Sequence, residues 1–529
     1  MRNPAAQDAI VIGSGIGGLA AAAAIAKSGR KVLLLERHYA LGGLTQTFSR
    51  EGFTWATGVH YIGGLQPGAR QVDVFGRLLR WLSDGALAFA SIGSSYDIVR
   101  FPDGFSFAFE APEAALIARL KATFPADTRA IDRYFHAVHG AQKAMMAYFA
   151  MNAMPRPIAA IYRLLNKGGI TRWADTTAAV FIARVTANPQ LAALLAARWG
   201  DHGMPPSRAP FALHALVLGS YFDGAYYPVG GPARLAETLA TSIRSDGGEL
   251  RSNAEVARIL VENGRATGVL LADGHEVRAR TVISAMGAHN TLERLPREAD
   301  RSNAELADWR ATIEAMKPVA SYIALYLGFE GDIRACGATA ANVWIYESYD
   351  VEHTIWKDPA EGDAPGLFVS FASLKDPTHD PGPRQRHTAE VIVFAQWDIF
   401  AAWQGTDPRH RPEEYLALKH SIEGRLLAQF QRHFPDLSGL IRYHELSTPL
   451  SQAHFVGAHE GAMYGLEMSR ERMHAANLRC ATPLPGLYLA GQDAGGPGVQ
   501  GAFMGGFMAA ASIEPRLFAR IPELEERLR

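Results

Sequence analysis

Glycine residues at a fixed spacing follow the first apolar run of the chain. Gly13, Gly15 and Gly18 form a GxGxxG pattern between the apolar residues 9–12 and the alanine-rich residues 19–28. Glycine at these positions allows a tight turn, lets a phosphate approach the backbone, and lets the following helix pack closely on a strand. The free N–H groups at the start of that helix would bind the pyrophosphate of a dinucleotide.

An acidic residue follows the second apolar run. Residues 31–35 predict a second buried strand, and Glu36 comes directly after it. A carboxylate at this place accepts hydrogen bonds from a ribose diol and repels a 2′-phosphate, which argues against NADP. The order of strand, glycine turn, helix, strand and acid therefore predicts a dinucleotide-binding domain.

Two further glycine-rich segments favour FAD over NAD. Gly42 and Gly43 come shortly after the acid, and this second glycine pair is typical of FAD enzymes. Near the C-terminus, Asp493 follows a short apolar strand, and a glycine-rich turn then opens a helix of small residues near residue 498. A helix N-terminus that faces the flavin ring stabilises negative charge on the reduced flavin.

Four short segments carry a resemblance to a known enzyme family. They are TGVHYIG at 57–63, GDHGMPP at 200–206, YYPVGGP at 226–232 and GQD at 491–493. With the glycine motifs, they make the chain resemble the phytoene desaturase superfamily of flavoenzymes, and within it the branch of all-trans-retinol saturases and carotenoid isomerases. Many members have an arginine at the position of Leu44, but the saturase branch shares this departure.

The resemblance implies a set of residues that would bind FAD. These are Gly13, Gly15, Gly17, Gly18, Glu36, Arg37, Gly42, Gly43, Leu44, Thr45, His60, Val256, Gly491, Asp493, Gly498, Val499, Gln500 and Ala502. Histidine and tyrosine side chains are suited to proton transfer. The catalytic candidates are His60, Tyr61 and His202, and His214 and Tyr464 are further candidates for the proton transfer. Saturases more often have a tyrosine at the position of His202.

The expected reaction is hydride transfer to or from carbon, on a flavin. The main interpretation is an FAD-dependent oxidoreductase that saturates or desaturates carbon–carbon bonds of a hydrophobic polyene, such as a retinoid or a carotenoid. Alternatives are an isomerase without net redox change, or a desaturase or isomerase of unsaturated fatty acyl chains. A flavin-binding partner protein without catalysis is a remoter alternative. Apart from the glycine-rich turn near residue 498, which the FAD site accounts for, the sequence has no second GxGxxG, so we do not expect a dedicated NAD(P)H domain.

Composition excludes several other classes of protein. The net charge of the 529 residues is −1, which gives no indication of nucleic-acid binding. The two cysteines, Cys336 and Cys480, are far apart, which argues against a disulfide scaffold, a zinc site or an iron–sulfur cluster. We recognise no signal peptide and no apolar run long enough for a transmembrane helix, and we expect a cytoplasmic protein.

The chain is expected to form an α/β fold with two discontinuous domains. A Rossmann-type FAD-binding domain, of the GR2 or amine-oxidase-like architecture, would combine residues 1–70, 226–295 and 446–529. An α+β substrate domain would combine residues 71–225 and 296–445. Its helical part is predicted at about 111–225, and an antiparallel sheet is predicted at about 318–400.

The expected partner is a hydrophobic small molecule, either a polyene or a fatty acyl chain, in a mostly apolar pocket. Residues 145–165 are rich in methionine, aromatic and aliphatic side chains, with Arg156, Arg163 and Lys167 interspersed or close by. This pattern predicts either a core-facing helix pair or a surface patch in peripheral contact with a membrane. The sequence leaves the oligomeric state open.

Overall fold

A computed structural model describes residues 7–65 and 74–518, whose strands lie in two large sheets and two small ones. The strands are β1 (Gln7–Ile12), β2 (Val32–Leu35), β3 (Thr47–Arg50), β4 (Phe53–Ala56), β5 (Phe89–Ser91), β6 (Ser95–Arg100), β7 (Ser106–Glu110), β8 (Tyr226–Pro228), β9 (Glu249–Arg251), β10 (Val256–Glu262), β11 (Arg265–Leu271), β12 (Glu276–Ser284), β13 (Ser321–Glu330), β14 (Asn342–Tyr346), β15 (Gly366–Ser370), β16 (Arg386–Ala395), β17 (Ile441–Ser447) and β18 (Leu487–Leu489).

The helices connect and cover these sheets. They are α1 (Ile16–Lys27), α2 (Val74–Leu82), α3 (Glu113–Thr123), α4 (Thr128–Ala153), α5 (Arg156–Ala174), α6 (Ala178–Val185), α7 (Pro189–Ala196), α8 (Phe211–Ser220), α9 (Ala233–Ser245), α10 (Ala288–Arg294), α11 (Ala304–Glu314), α12 (Asp398–Ala401), α13 (Glu413–His433), α14 (Pro449–Phe455), α15 (Arg470–His474) and α16 (Gly498–Ile513). Among the described residues, none of the helices combines the length and apolarity needed to cross a bilayer.

The first large sheet joins three distant segments of the chain. Its strand order is β10-β11-β12-β1-β2-β9, and β18 also pairs with β12. β1 lies between β12 and β2 in parallel, with Ile10 opposite both Val282 and Leu33. β1 and β2 are apolar on both faces because the sheet is covered on both sides. The structure therefore has the predicted strand, helix and strand at the N-terminus.

Two helices of this part touch each other through their backbones. A Cβ atom added to Gly506 of α16 would lie 1.9 Å from the carbonyl oxygen of Gly17 in α1. A Cβ atom on Gly505 would likewise lie 2.1 Å from the carbonyl oxygen of Gly491. Only glycine fits such a contact, because any side chain would force the helices apart. The contact brings the N-terminal ends of α1 and α16 to one cavity.

The second large sheet has the order β17-β13-β16-β15-β14-β6-β7. Its strands β13 to β16 correspond to the predicted sheet at about 318–400, and β6 and β7 form a hairpin. The pairing is antiparallel except between β14 and β6, which run in parallel. No short turn connects these two strands, so the direction of their pairing is not imposed by a hairpin.

Alternate residues of β13 face two different cores. Ile323 and Leu325 belong to the core shared with α13, whereas Tyr322 and Tyr326 belong to the core shared with the helices α3 to α8. This follows from the period of two along a strand. Residues 113–220 are mainly helical, as predicted, and cover the aromatic face of the sheet.

Candidate active site

A cavity of about 420 Å³ lies where the first sheet meets α1 and α16. Seventeen of the eighteen predicted FAD-binding residues line it: Gly13, Gly15, Gly17, Gly18, Glu36, Arg37, Gly42, Gly43, Leu44, Thr45, His60, Val256, Gly491, Asp493, Gly498, Val499 and Ala502. Gln500 does not line the cavity, and its side-chain amide lies next to Gly64. The structure thus brings together segments that are almost 500 residues apart in the sequence.

Glu36 ties the glycine turn to the second glycine loop. Its Oε2 accepts hydrogen bonds from the backbone N–H of Ser14 at 2.8 Å and from Ser14 Oγ at 2.6 Å. Ser14 Oγ in turn accepts the backbone N–H of Gly42 at 3.0 Å. The other oxygen of Glu36 accepts the N–H of His38 at 2.8 Å. Sequence analysis missed Ser14, although it lies inside the glycine motif.

The hydrogen-bond donors that line this cavity fit a dinucleotide. α1 begins at Ile16 and α16 at Gly498, and both first turns line the cavity. Helix N-termini supply free N–H groups and a positive dipole end for a pyrophosphate and for a negatively charged ring. A Cβ atom on Gly15 would project into open space, so the backbone there is open to a ligand.

Asp493 fixes the loops on the opposite side of the cavity. Its Oδ1 accepts the backbone N–H of Leu466 at 2.8 Å, and its Oδ2 accepts that of Ala288 at 2.7 Å. The side chain is buried, so these two bonds replace the water that the carboxylate loses. The first turn of α10 is thereby joined to the loop before α16.

A second pocket, of about 120 Å³, borders the large cavity. The two share Gly58, Val59, His60, Ile392, Met463, Gly498 and Val499. Seven aromatic side chains line the second pocket, which we call the aromatic pocket: Tyr61, Trp199, Tyr221, Trp344, Tyr346, Phe368 and Phe394. Sequence analysis expected an apolar pocket but did not identify these residues, which come from six separate elements and loops.

His60 lies at the junction of the two cavities. Burial, assisted by the charge of Lys375, lowers the pKa of His60 to about 3, so its ring is neutral. Its Nδ1 is buried and has no hydrogen-bond partner among the described residues. Lys375 Nζ donates to the backbone carbonyl of His60 at 2.8 Å and to Ser370 Oγ at 2.7 Å. These bonds hold the segment that carries His60 and Tyr61 against the second sheet.

Tyr61 belongs to a buried charged cluster at the wall of the aromatic pocket. Its hydroxyl contacts both Asp97 and Asp201 and also accepts a hydrogen bond from Arg198 Nη2 at 3.2 Å. Burial raises the pKa of Tyr61 well above 10, and the two carboxylates add to this shift. Sequence analysis named Tyr61 but missed Asp97 and Arg198. The signal for Asp97 in the sequence is an acidic residue between the apolar residues Tyr96 and Ile98.

His202 lines neither of these two cavities. Its Nε2 lies 3.4 Å from Nδ1 of His214, and His214 Nε2 lies 2.9 Å from the hydroxyl of Tyr134. Burial lowers the pKa of both histidines. The side chain of Asp201, the neighbour of His202 in the sequence, points instead to Tyr61. The geometry therefore gives no support to the prediction that His202 is catalytic, whereas Tyr464 does line the large cavity.

Comparisons with known proteins agree with this architecture. The family model described as FAD dependent oxidoreductase matches residues 8–305, and the one described as flavin containing amine oxidoreductase matches residues 194–513. Among solved structures, cyclohexylamine oxidase from Brevibacterium oxydans superposes with a TM-score of 0.59 at 19% identity, over 98% of this chain and 100% of that one. This likeness shows the fold.

Curated relatives are similar over nearly their whole length. All-trans-retinol 13,14-reductase from Rattus norvegicus is 32% identical over 556 aligned residues, which cover 100% of this chain and 89% of the relative. Chloroplastic prolycopene isomerase from Arabidopsis thaliana is 24% identical, over 96% of this chain and 82% of the relative. The chain is an FAD-dependent oxidoreductase, and it belongs to the family that includes the all-trans-retinol 13,14-reductases and the prolycopene isomerases.

Proposed function

We propose that this protein saturates or desaturates a carbon–carbon bond of a hydrophobic polyene, such as a retinoid or a carotenoid. The observation that carries the proposal is that the aromatic pocket borders the dinucleotide cavity and shares His60, Met463 and Gly498 with it. Bound FAD supplies hydride transfer to or from carbon. The relatives are named for reactions on retinol and prolycopene, which supports a polyene as the substrate here.

The walls of the aromatic pocket suit a flat conjugated chain. The rings of Trp199 and Phe394 stack with centroids 4.9 Å apart, and those of Trp344 and Phe368 meet edge to face at 4.7 Å. Burying an apolar chain between such rings contributes about 25 cal/mol for each Å² removed from water. The same rings keep water away from the junction at His60, where the reacting bond would lie.

We propose that FAD lies along the large cavity. The first turn of α1 would bind the pyrophosphate, Glu36 the ribose, Val256 the adenine and the first turn of α16 the flavin ring. On this basis residues 1–70, 226–295 and 446–529 form the FAD-binding domain, and residues 71–225 and 296–445 form the substrate domain. Gln500 stays in the proposed set as a neighbour of the flavin end, although it does not line the cavity.

Isomerisation without net redox change is the second candidate function. The similarity to prolycopene isomerase favours it, since the same pocket and cofactor would serve both reactions. Unsaturated fatty acyl chains form a further substrate class for an apolar pocket of this kind.

Anaerobic photoreduction tests the proposed function. The reduced protein is mixed with retinol, with carotenoids and with unsaturated fatty acids, and the product masses are measured. We expect a polyene to restore the oxidised flavin band and to gain the mass of one hydrogen molecule. An unchanged mass with a shifted retention time assigns the isomerase. If no polyene reacts with the reduced or the oxidised protein, the proposed function is wrong.

We further propose a cytoplasmic location with peripheral membrane contact through α5. This helix exposes Ile158, Ile161, Leu164 and Leu165, with exposed fractions of 55%, 64%, 73% and 78%. The spacing of three and four residues places Ile158, Ile161 and Leu165 along one face. Lys167 is exposed on the same helix, and cationic side chains beside an apolar face attract anionic lipids. The two alternatives for 145–165 thus divide between α4, in which Met145, Tyr148 and Met151 are buried, and α5.

Substitution of Leu165 tests the membrane contact. Leu165→Ser removes an apolar side chain whose burial contributes about 1.5–3 kcal/mol, so binding to phosphatidylcholine–phosphatidylserine vesicles should weaken about tenfold or more. Co-sedimentation measures the binding. Leu416→Ser, on the exposed side of α13, is the matched control and should leave binding unchanged. Equal binding of both variants, or no binding of the unmodified protein, contradicts the membrane proposal.

A further inference from the structure

Three oxygen-bearing side chains meet at the wall of the aromatic pocket. Tyr61 Oη lies 2.9 Å from Asp201 Oδ1 and 3.1 Å from Asp97 Oδ2. A phenol has one hydrogen to donate, and an ionised carboxylate has none. If both carboxyls were ionised, one of these contacts would join two oxygens with no hydrogen between them. A second proton, on one of the two carboxyls, would give each of these contacts its hydrogen.

Asp201 is the carboxyl whose surroundings favour this proton more. Asp97 Oδ1 accepts hydrogen bonds from Asn342 Nδ2 and Trp344 Nε1, both at 3.1 Å, and Arg198 Nε lies 2.8 Å from Oδ2. Asp201 has one such nitrogen, Arg198 Nη2 at 2.7 Å. Burial raises the pKa of Asp201 to about 6, against the opposing charge of Arg198. Asp201 also lines the aromatic pocket, whereas Asp97 does not.

We propose that Tyr61 donates a proton to the substrate and that Asp201 restores the proton of Tyr61. This inference rests on the proposed reduction of a carbon–carbon double bond. One carbon receives a hydride, with its electron pair, from reduced FAD, which is thereby oxidised. The π electron pair of the double bond forms the second C–H bond with the proton of Tyr61. The proton of Asp201 then moves to the phenolate, and solvent water reprotonates Asp201.

Arg198 stabilises the cluster between these two proton transfers. Its Nη2 lies 3.2 Å from Tyr61 Oη, so the guanidinium faces the oxygen that becomes negatively charged. Its Nη2 also donates a hydrogen bond to Asp201, which keeps Asp201 next to Tyr61. The other titratable groups that influence Asp201 or Tyr61 are Asp97, Tyr96, Tyr221, Tyr346, Lys375 and Tyr464.

In this scheme Tyr61 is a catalytic residue and Asp201 is a positioning residue that acts through it.

The test mixes pre-reduced holoenzyme with the polyene that reacts fastest and follows the return of the oxidised flavin band over a range of pH. We expect Tyr61→Phe to slow this step by about 10²–10⁴-fold, as is typical for the loss of a general acid. We expect the unmodified rate to fall as the pH rises above about 6, because an ionised Asp201 has no proton to give to the phenolate as it forms, which makes proton donation by Tyr61 less favourable. Asp201→Asn should abolish this fall, and Asp201→Glu should restore it.

Tyr415→Phe is the matched control, because Tyr415 is buried, its hydroxyl hydrogen-bonds to Thr448, and neither residue lines either cavity. Each variant must retain FAD, as measured by its absorbance. A rate of Tyr61→Phe within threefold of that of the control, or an unchanged pH profile in Asp201→Asn, overturns the proposal.

Infrared spectroscopy separates this proposal from the proposed function, since it needs no substrate. Aspartate labelled with carbon-13 should give the carbonyl band of a protonated carboxyl that titrates near pH 6 and is missing in Asp201→Asn. If no polyene reacts but this band is present, the proposed function is wrong, whereas the proposal that Asp201 holds the proton for Tyr61 is supported. If the band is absent, the role proposed for Asp201 is wrong, whatever the substrate tests show.

Discussion

Gly506→Ala is expected to release FAD and to destabilise the fold. The new Cβ atom would lie 1.9 Å from the carbonyl oxygen of Gly17 and 3.0 Å from its Cα, and both are backbone atoms that cannot rotate away. α1 and α16 must therefore separate, and both helices begin at the cavity. Overpacking of this kind costs about 1–3 kcal/mol. We expect FAD binding to weaken at least about tenfold, since about 1.4 kcal/mol is a factor of ten.

The measurements are the flavin absorbance of the purified protein and urea unfolding of the protein without FAD. Gly424→Ala is the matched control, because it makes the same substitution in the helix α13, where an added Cβ atom contacts nothing within 4 Å. There alanine should stabilise the protein by about 0.5–1 kcal/mol. If Gly506→Ala retains FAD as well as Gly424→Ala does, the backbone contact does not position the FAD site.

Arg198→Met is expected to destabilise the protein by about 3–5 kcal/mol at neutral pH, because it leaves two buried carboxyls without their counter-charge. Arg198 is 4% exposed and lies within 2.8 Å of both Asp97 and Asp201. Urea unfolding monitored by tryptophan fluorescence measures the loss. Arg234→Met, which breaks the exposed pair with Glu237, should change the free energy of unfolding by less than about 1 kcal/mol.

The effect of Arg198→Met should also depend on pH. Without the guanidinium, the folded pKa values of Asp97 and Asp201 rise further above the value of about 3.9 in the unfolded chain. The folded variant then binds more protons than the unfolded chain, so its stability falls as the pH rises from about 4 through the folded pKa values. The difference from the unmodified protein should be smaller at pH 5 than at pH 8. A difference that does not vary with pH contradicts this account of the cluster.

Predictions from the sequence succeeded where the signal was local. The glycine turn, α1, β2 and Glu36 lie within one continuous stretch, and their spacing alone prescribes the strand–helix–strand unit. The four apolar runs between 318 and 400 also became strands. Their pairing with the hairpin of β6 and β7 was not predictable, because it joins parts of the chain more than 200 residues apart.

Predictions for the proton-transfer residues were less complete because those residues depend on distant packing. His202 and Asp201 are neighbours in the sequence, yet their side chains point to different partners, His214 and Tyr61. No spacing rule connects Asp97 in β6 with the loop that carries Arg198. The cluster becomes visible only when the loop that carries Arg198 is packed against β6 of the second sheet.

The sequence by itself determined the cofactor and the family. Phosphate binding requires glycines, a helix N-terminus and an acid at short fixed distances, and these leave a readable pattern. Only the tertiary structure decided which residues form the aromatic pocket, that the pocket and the dinucleotide cavity share His60, and that Tyr61 lies against Asp201. These features depend on how two sheets and several helices pack, because burial brings together side chains whose separation in the sequence follows no pattern.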